Sequence, residues 1–231
     1  MNTARLTLAG ATFEPMPNGA LWWAEQGLLA VSDMHLGRSE RVARLGGGLI
    51  PPYETEDTLN RLAEAVRETG PRTVVSLGDS FDDLASAGAV HEQVSDLLTS
   101  LAAGRRWIWI AGNHDPGPVE MPGAHVSSHQ EGSVVFRHIA DPSARAEVSG
   151  HYHPKVRLSI AGSHISRPCF LADTNRVILP AFGTYTGGLD AADPVFDPLL
   201  GPEAHTWLIG RRVTCLPRYP DHSTAAGATQ R

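Results

Sequence analysis

Four short stretches of this chain bring carboxylate, imidazole and amide side chains together at close spacing. They are Asp33-x-His35, Gly78-Asp79-x-x-Asp82, Gly112-Asn113-His114-Asp115 and Gly150-His151-x-His153, with His138 alone between the last two. Oxygen and imidazole donors suit hard-to-borderline divalent cations rather than a thiolate site. Asp33, His35, Asp79, Asn113, His138, His151 and His153 make seven candidate ligands, too many for one tetrahedral centre. One carboxylate shared between two ions accommodates them, and paired ions are the apparatus of phosphoester hydrolysis.

Each stretch needs an element to present it. Gly27–Val31, Thr73–Leu77 and Trp107–Ala111 are apolar, β-branched or aromatic runs read as buried strands, and Ser133–His138 and Ala146–Ser149 are read likewise. Chemistry-bearing residues at the carboxyl ends of such strands fall where open α/β sheets keep their sites. Asp33 and His35, two apart in an extended segment, are expected on one side of the chain. Between the strands, Leu59, Leu62, Ala63 and Val66 have helical spacing from about Thr55 to Gly70, and a second helix is expected from about Ala89 to Ala103. Residues 39–52, with Arg41, Arg44 and three successive glycines, are read as a short helix running into a mobile loop. The remainder is β-rich, with strands expected at 155–160, 169–171, 177–182 and 206–215. No repeat or linker breaks the chain, so residues 1–222 are expected to form one domain, followed by a disordered polar tail at 223–231.

Hydrophobic content of 42% and charged content of 19% are those of an ordinary globular protein. No apolar run is long enough for a membrane helix, and the first residues lack the pattern of a secretory signal. Cys169 and Cys215 are read as small buried hydrophobes in a reducing cytoplasm. A net charge of −6 argues against sequence-independent nucleic-acid binding, unless carboxylates in a cleft bind cations and invert the local charge.

The ordered set DxH, GDxxD, GNHD, His, GHxH over about residues 31–153 resembles the calcineurin-like metallophosphoesterases. That resemblance implies a four-layer α/β/β/α sandwich and two divalent ions, manganese first, with iron or zinc also fitting the donors. It further implies that Asp33, His35, Asp79 and His153 hold one metal, and Asp79, Asn113, His138 and His151 the other. His114 would contact the phosphate and protonate the leaving oxygen, with Asp82 orienting it. More narrowly, Asp33–Arg38, Pro51-Pro52-Tyr53, Arg167–Leu171 and Leu179–Gly188 resemble the ligase-associated DNA-damage-response metallophosphoesterases of the PdeM type. This implies a cytoplasmic manganese-dependent DNA endonuclease in repair, with single-stranded DNA favoured and a functional association with a ligase, helicase or exonuclease.

Alternatives stand beside these readings. The same metals would serve a small-molecule phosphatase or cyclic-nucleotide phosphodiesterase, which the negative charge favours, and a non-catalytic scaffold is a third reading. Arg38 is a candidate phosphate clamp, while Arg41 and Arg44 line either a solvated helix face or a strand-binding groove. Trp107 and Trp109 alternate along a strand and are read as core. Tyr185 is a candidate substrate contact. His91, His125, His129, His164, His205 and His222 are read as packed or solvated side chains.

Overall fold

The computed structural model describes residues 4–218 apart from 49, 89–91, 119 and 161–162. The expected tail at 223–231, the last residues of the 1–222 span and the start of the helix expected at Ala89 lie outside the described residues. Two sheets are built from strands β1 Leu6–Leu8, β2 Ala11–Pro15, β3 Leu21–Trp23, β4 Leu28–Val31, β5 Thr73–Leu77, β6 Arg106–Ile110, β7 Ala124–Val126, β8 Ser128–Glu131, β9 Val134–Arg137, β10 Glu147–Ser149, β11 Lys155–Ile160, β12 Ser163–Ala172, β13 Arg176–Ile178, β14 His205–Leu208 and β15 Thr214–Pro217. Helices α1 Arg38–Arg44, α2 Glu54–Thr69, α3 Leu84–Gly88 and α4 Glu92–Ala102 lie between strands of the first half. No described helix is long and apolar enough to cross a membrane.

The first sheet runs β1-β2-β3-β4-β5-β6-β7, and the second runs β15-β14-β12-β13-β10-β9-β8 with β11 beside β12. In the first sheet β4, β5, β6 and β7 are parallel, with Val31 opposite Ser76 and Leu77 opposite Ile110. That register brings the carboxyl ends of β4, β5 and β6 level, so the loops bearing Asp33, Asp79 and Asn113 leave from one edge. The second sheet has its own parallel core, β9, β10 and β13, with Val148 opposite Phe136 and Val177. His138 and His151 therefore also emerge from one edge.

The period-two pattern of the strands explains the layers. Leu28, Ala30, Val75, Leu77, Ile108 and Ile110 of the first sheet pack on Val134, Phe136, Val148, Phe170, Val177 and Leu179 of the second. The opposite face of the first sheet, Leu29, Val31, Val74, Trp107 and Trp109, is covered by Leu59, Leu62 and Val66 of α2 and Leu98 and Leu101 of α4. The two tryptophans share one face, as their alternation implies. The outer face of the second sheet carries Cys169, Leu171 and Ile178 under Ala191, Phe196, Leu199 and Leu200. The result is the mixed α/β sandwich of two packed sheets flanked by helices, with the last layer supplied by residues 190–204 around a 3-10 turn at Pro194–Phe196.

Several local expectations shift. The apolar run from 177 leaves the sheet after Ile178, because the Leu179 amide bonds to Ser149 and the Phe182 amide to Ser32. The run 206–215 is an antiparallel pair, β14 and β15, turning at Gly210. Its outer strand is exposed throughout, so Cys215 is a surface thiol and only Cys169 is buried. Strands β7 and β8 are short and polar, which hid them from a hydrophobicity reading.

The loops around the two sheet edges pass at backbone contact. A Cβ at Gly112 would overlap the Asp79 amide and the carboxylates of Asp79 and Asp115, and one at Gly183 would overlap the Met34 carbonyl. Gly112→Ala and Gly183→Ala should each cost about 2–3 kcal/mol, read as a lowered midpoint of urea unfolding with little change in slope.

Candidate active site

The loops after β4 and β5 stay paired beyond their strands. The amides of Asp33, His35 and Leu36 bond to the carbonyls of Gly78, Asp79 and Ser80, and the Asp82 amide returns to Leu36. Pairing does not leave them extended. Asp33, His35 and Asp79 have φ of 52°, 47° and 46°, and His151 and His153 have 74° and 48°. Asp33 and His35 therefore do not share a side by strand alternation; successive left-handed turns aim them. Five of the seven candidate ligands thus hold a conformation that costs a non-glycine residue about 1 kcal/mol or more.

Asp115 over-determines that geometry. Its buried carboxylate accepts from the amides of Asp79 and Gly112 on Oδ1, at 2.9 and 3.1 Å, and from Ser80 and Phe81 on Oδ2, at 2.8 and 3.1 Å. Burial, joined by the charge of Asp79, pushes this carboxyl up to about 6 against those bonds. No role fell to Asp115 in the sequence, although a second acid closing a GNHD stretch is the signal that could have marked it.

Three sets of side chains gather from the two edges. Asp33, His35 and His153 form one; Asp79, His138 and His151 form another; His35, Asp79 and His114 lie between them, with ligating atoms within 4.8 Å in each set. Both outer sets draw on both sheets. Within the first, His153 Nε2 lies 3.1 Å from Asp33 Oδ1. Asp33 Oδ2 accepts from the Ser32 hydroxyl and from the His151 amide at 2.9 Å. Within the second, His138 Nε2 is 3.4 Å from Asp79 Oδ2, 2.9 Å from Asn113 Oδ1 and 3.2 Å from His151 Nδ1. His138 Nδ1 meets the Leu77 carbonyl at 2.8 Å. Since a carbonyl only accepts, Nδ1 carries a proton, and Nε2 is the nitrogen turned toward the cluster.

This donor set fits metal. Buried His35 Nε2 has no hydrogen-bond partner, and buried Asp33 Oδ1 and His153 Nε2 have only each other, off the hydrogen-bond line, a costly state for protein polar atoms unless a cation joins them. Charge points the same way. Burial opposes ionisation of His138, yet its hydrogen bond to Asp79 and the charges of Asp33 and Asp79 push it up to about 9. Asp79 is correspondingly held at about 2, its burial outweighed by His138. Burial would raise Asp33 too, and the bond and charge of His153 keep it low. His151 goes down, through burial and the neighbouring His138 charge.

Asp82 has a different partner from the one expected. Its fully buried Oδ1 lies 2.9 Å from His35 Nδ1, close though off the hydrogen-bond line, and 3.1 Å from Arg38 Nη1; Oδ2 receives Arg41 Nη1 at 3.1 Å. What His114 receives from this residue is the backbone carbonyl, 2.9 Å from Nδ1. The carboxylate sits behind His35, and the carbonyl fixes His114, whose own amide donates to Asp79 Oδ1 at 2.8 Å. Burial would raise Asp82, but His35, Arg41 and Arg38 hold it below the usual carboxylate range.

The same contacts locate the arginines. Arg38, Arg41 and Arg44 share one face of α1 turned onto Asp82 and Asp83, with Arg44 Nη2 2.8 Å from Asp83 Oδ2. A phosphate clamp at Arg38 would have to use the nitrogens other than Nη1. Among the remaining histidines, His125 stacks on Trp109 and His129 on Phe136, as packed side chains should. His91 and His222 lie outside the described residues.

Two sheets with paired ligand clusters at facing edges define a metal-dependent phosphoesterase. The calcineurin-like phosphoesterase family matches residues 28–142, from β4 through His138, and the chain belongs to that family. Among solved structures, Pseudomonas putida nuclease MPE superposes with a TM-score of 0.71 at 23% identity, covering 93% of this chain and 100% of that one, which shows the shared fold. Yfce, a phosphoesterase from E. coli, aligns at a TM-score of 0.37 and 12% identity over 83% of this chain and 99% of that one, too weakly to carry an argument. No curated protein matches the chain.

Two outcomes follow from the donor set. His138 is raised above its ordinary 6.5 in the metal-free fold, so its protonation stabilises that fold fully below about pH 6.5. The contribution is lost as pH rises through about 9. A divalent ion competes with this proton. Scanning calorimetry should therefore show the metal-free Tm falling across that window while the manganese-induced increase in Tm grows. Asp82→Asn should weaken manganese binding about 10–100-fold by titration calorimetry, through loss of the group behind His35.

Proposed function

We propose that this phosphoesterase cleaves phosphodiester bonds in DNA as a two-metal endonuclease, with unpaired strands favoured. The observation carrying the reading is the pair of ligand clusters joined through Asp79 and His35. Asp33, His35, Asp79 and His153 would hold one divalent ion, and Asp79, Asn113, His138 and His151 the other, with manganese the proposed metal. Bound there, such ions acidify water and polarise phosphoryl oxygens. Asp79 must be a carboxylate, since only a two-oxygen anion can face both ions. His114 would act on the leaving group. Its Nδ1 proton is spent on the Asp82 carbonyl, which leaves Nε2 to deliver a proton to the departing oxygen as the P–O bond breaks.

Support for a polymeric substrate comes from the cleft's surroundings. Beside the second cluster an open groove of about 430 Å³ is lined by Asn113, Ser127, Ser128, Arg137, His138 and Ile139. It is open to solvent and runs from Asn113 and His138 toward Ser127, Ser128 and Arg137. The Pseudomonas putida neighbour is a nuclease, in keeping with this reading. The net charge of −6 favours the alternative of a small phosphate ester. The catalytic unit is taken as the chain from residue 1 to 222, because neither sheet alone supplies a complete ligand set. The proposed setting is cytoplasmic DNA repair, alongside a ligase, helicase or exonuclease.

Purified protein with manganese should linearise and fragment a circular single-stranded DNA, and Asp79→Asn should abolish that activity. An intact circle alongside brisk hydrolysis of mononucleotides would assign the site to small phosphate esters. Undiminished turnover by the Asp79 variant would remove the shared carboxylate from the mechanism.

A further inference from the structure

Residues 182–189 cross the mouth of the site as a loop that is held at nearly every residue. The amides of Phe182 and Gly183 bond to the carbonyls of Ser32 and Asp33 at 2.7 and 3.0 Å. The Thr184 amide donates to Thr58 Oγ1 at 3.0 Å, and Arg61 Nη2 reaches the Phe182 carbonyl at 2.7 Å and Thr184 Oγ1 at 2.9 Å. Lys155 Nζ donates to the Thr186 carbonyl at 2.7 Å. At its far end, Gly188 lies so close to His153 that a Cβ would overlap the His153 carbonyl. One end of the loop thus abuts the backbone at Asp33 and the other abuts that at His153, both residues of the same ligand cluster.

At the apex of this clamped loop stands Tyr185, with φ of 59°. A bulky residue in the left-handed region is a strained choice, and nothing in the core requires it, because the side chain is 45% exposed. Its neighbour is Tyr53, at the start of α2 and 53% exposed. The two hydroxyls touch, and the rings meet edge-on at 61° with centroids 5.9 Å apart. An edge-on pair leaves ring faces free that a stacked pair would cover. Two exposed aromatic rings, one of them carried on a clamped left-handed backbone, present a preorganised stacking surface beside the proposed phosphodiester site. A solvated aromatic that merely filled space would need neither the strain nor the clamps.

We infer that Tyr53 and Tyr185 form a stacking platform for an unpaired base of the nucleic-acid strand held in the site. The inference rests on the proposed function and deepens it by naming how the strand is recognised. Base faces are the one surface that every nucleotide offers and that a duplex hides, so such a platform selects single strands without reading sequence. It also offsets the poor electrostatics of an acidic protein, since stacking needs no positive patch. The hydroxyl contact fixes the mutual orientation of the rings, while the stacking itself needs only their faces.

The test compares Tyr53→Ala, Tyr185→Ala and both Phe variants with the wild type, all loaded with manganese. Substrates are a single-stranded oligonucleotide, the same oligonucleotide with consecutive abasic positions, and bis(p-nitrophenyl) phosphate. The ratio of kcat/KM for the oligonucleotide to that for the small diester should fall about tenfold in each Ala variant, mainly through KM, and the Phe variants should restore it. Abasic DNA should lose the same factor with the wild type and no further factor with the Ala variants. Parallel losses on both substrates, or an abasic penalty that persists in full in the Ala variants, would overturn the platform. Wild-type protein that hydrolyses the small diester yet never cuts the oligonucleotide would instead overturn the DNA reading. In that case, binding of the uncut oligonucleotide, unchanged by the Ala variants, would overturn the platform as well.

Discussion

One buried carboxylate holds the site together. Asp115 accepts four backbone N–H groups from the segments that follow β5 and β6, and so fixes the spacing between the turn of Asp79 and the turn of Asn113. Water could satisfy those amides individually, but it could not tie the two turns to each other. Since Asp79 lies with His138 and His151 in one candidate cluster and with His35 and His114 in the set beside it, its placement bears on each of these groups. The His114 amide is anchored on Asp79, and His138 draws its charge from the same carboxylate. Four hydrogen bonds converging on one acceptor hold the two turns in register, although burial of the carboxylate works against part of their gain.

A second tier of charge, buried at Asp82 and partly exposed at Asp83, does the same work from outside. Asp82 faces His35 while drawing Arg38 and Arg41 from α1, and Asp83 takes Arg41 and Arg44. The helix is therefore docked by electrostatics on the site's rear wall; none of its residues is buried. Its arginines stabilise the inner carboxylates, and a positive strip that sequence reading could assign to solvent or substrate is instead largely consumed within the protein.

Much of this was legible in the sequence, for a physical reason. Candidate metal ligands come from a few residue types, and in an α/β sheet they fall behind apolar strands, so the places of Asp33, Asp79 and Asn113 could be read from the strands before them. The second sheet's contribution was visible through His138, His151 and His153 on the same logic. What escaped was whatever depends on contacts between loops. Asp82 lies within reach of both His35 and His114, and only the fold shows that its carboxylate goes to the first. Backbone sign is equally hidden: Asp-x-His reads as extended, yet the tertiary bonds to Gly78 and Asp79 turn both residues left-handed. Tyr53 and Tyr185 are 132 residues apart, and neither position announces the other.

The apolar layer between the sheets has a consequence that reaches the chemistry. Each ligand cluster takes some members from the first sheet and some from the second, so the gap between sheets sets the bite of both cages. That gap is filled by Val75, Leu77 and Ile110 on one side and Val148, Phe136 and Leu179 on the other, packed as tightly as a crystal of small molecules. These side chains carry no charge and touch no substrate, yet they are the gauge blocks of the site. Their sizes, chosen in steps of single methylene groups, calibrate how closely the contributions of the two sheets approach within each cluster.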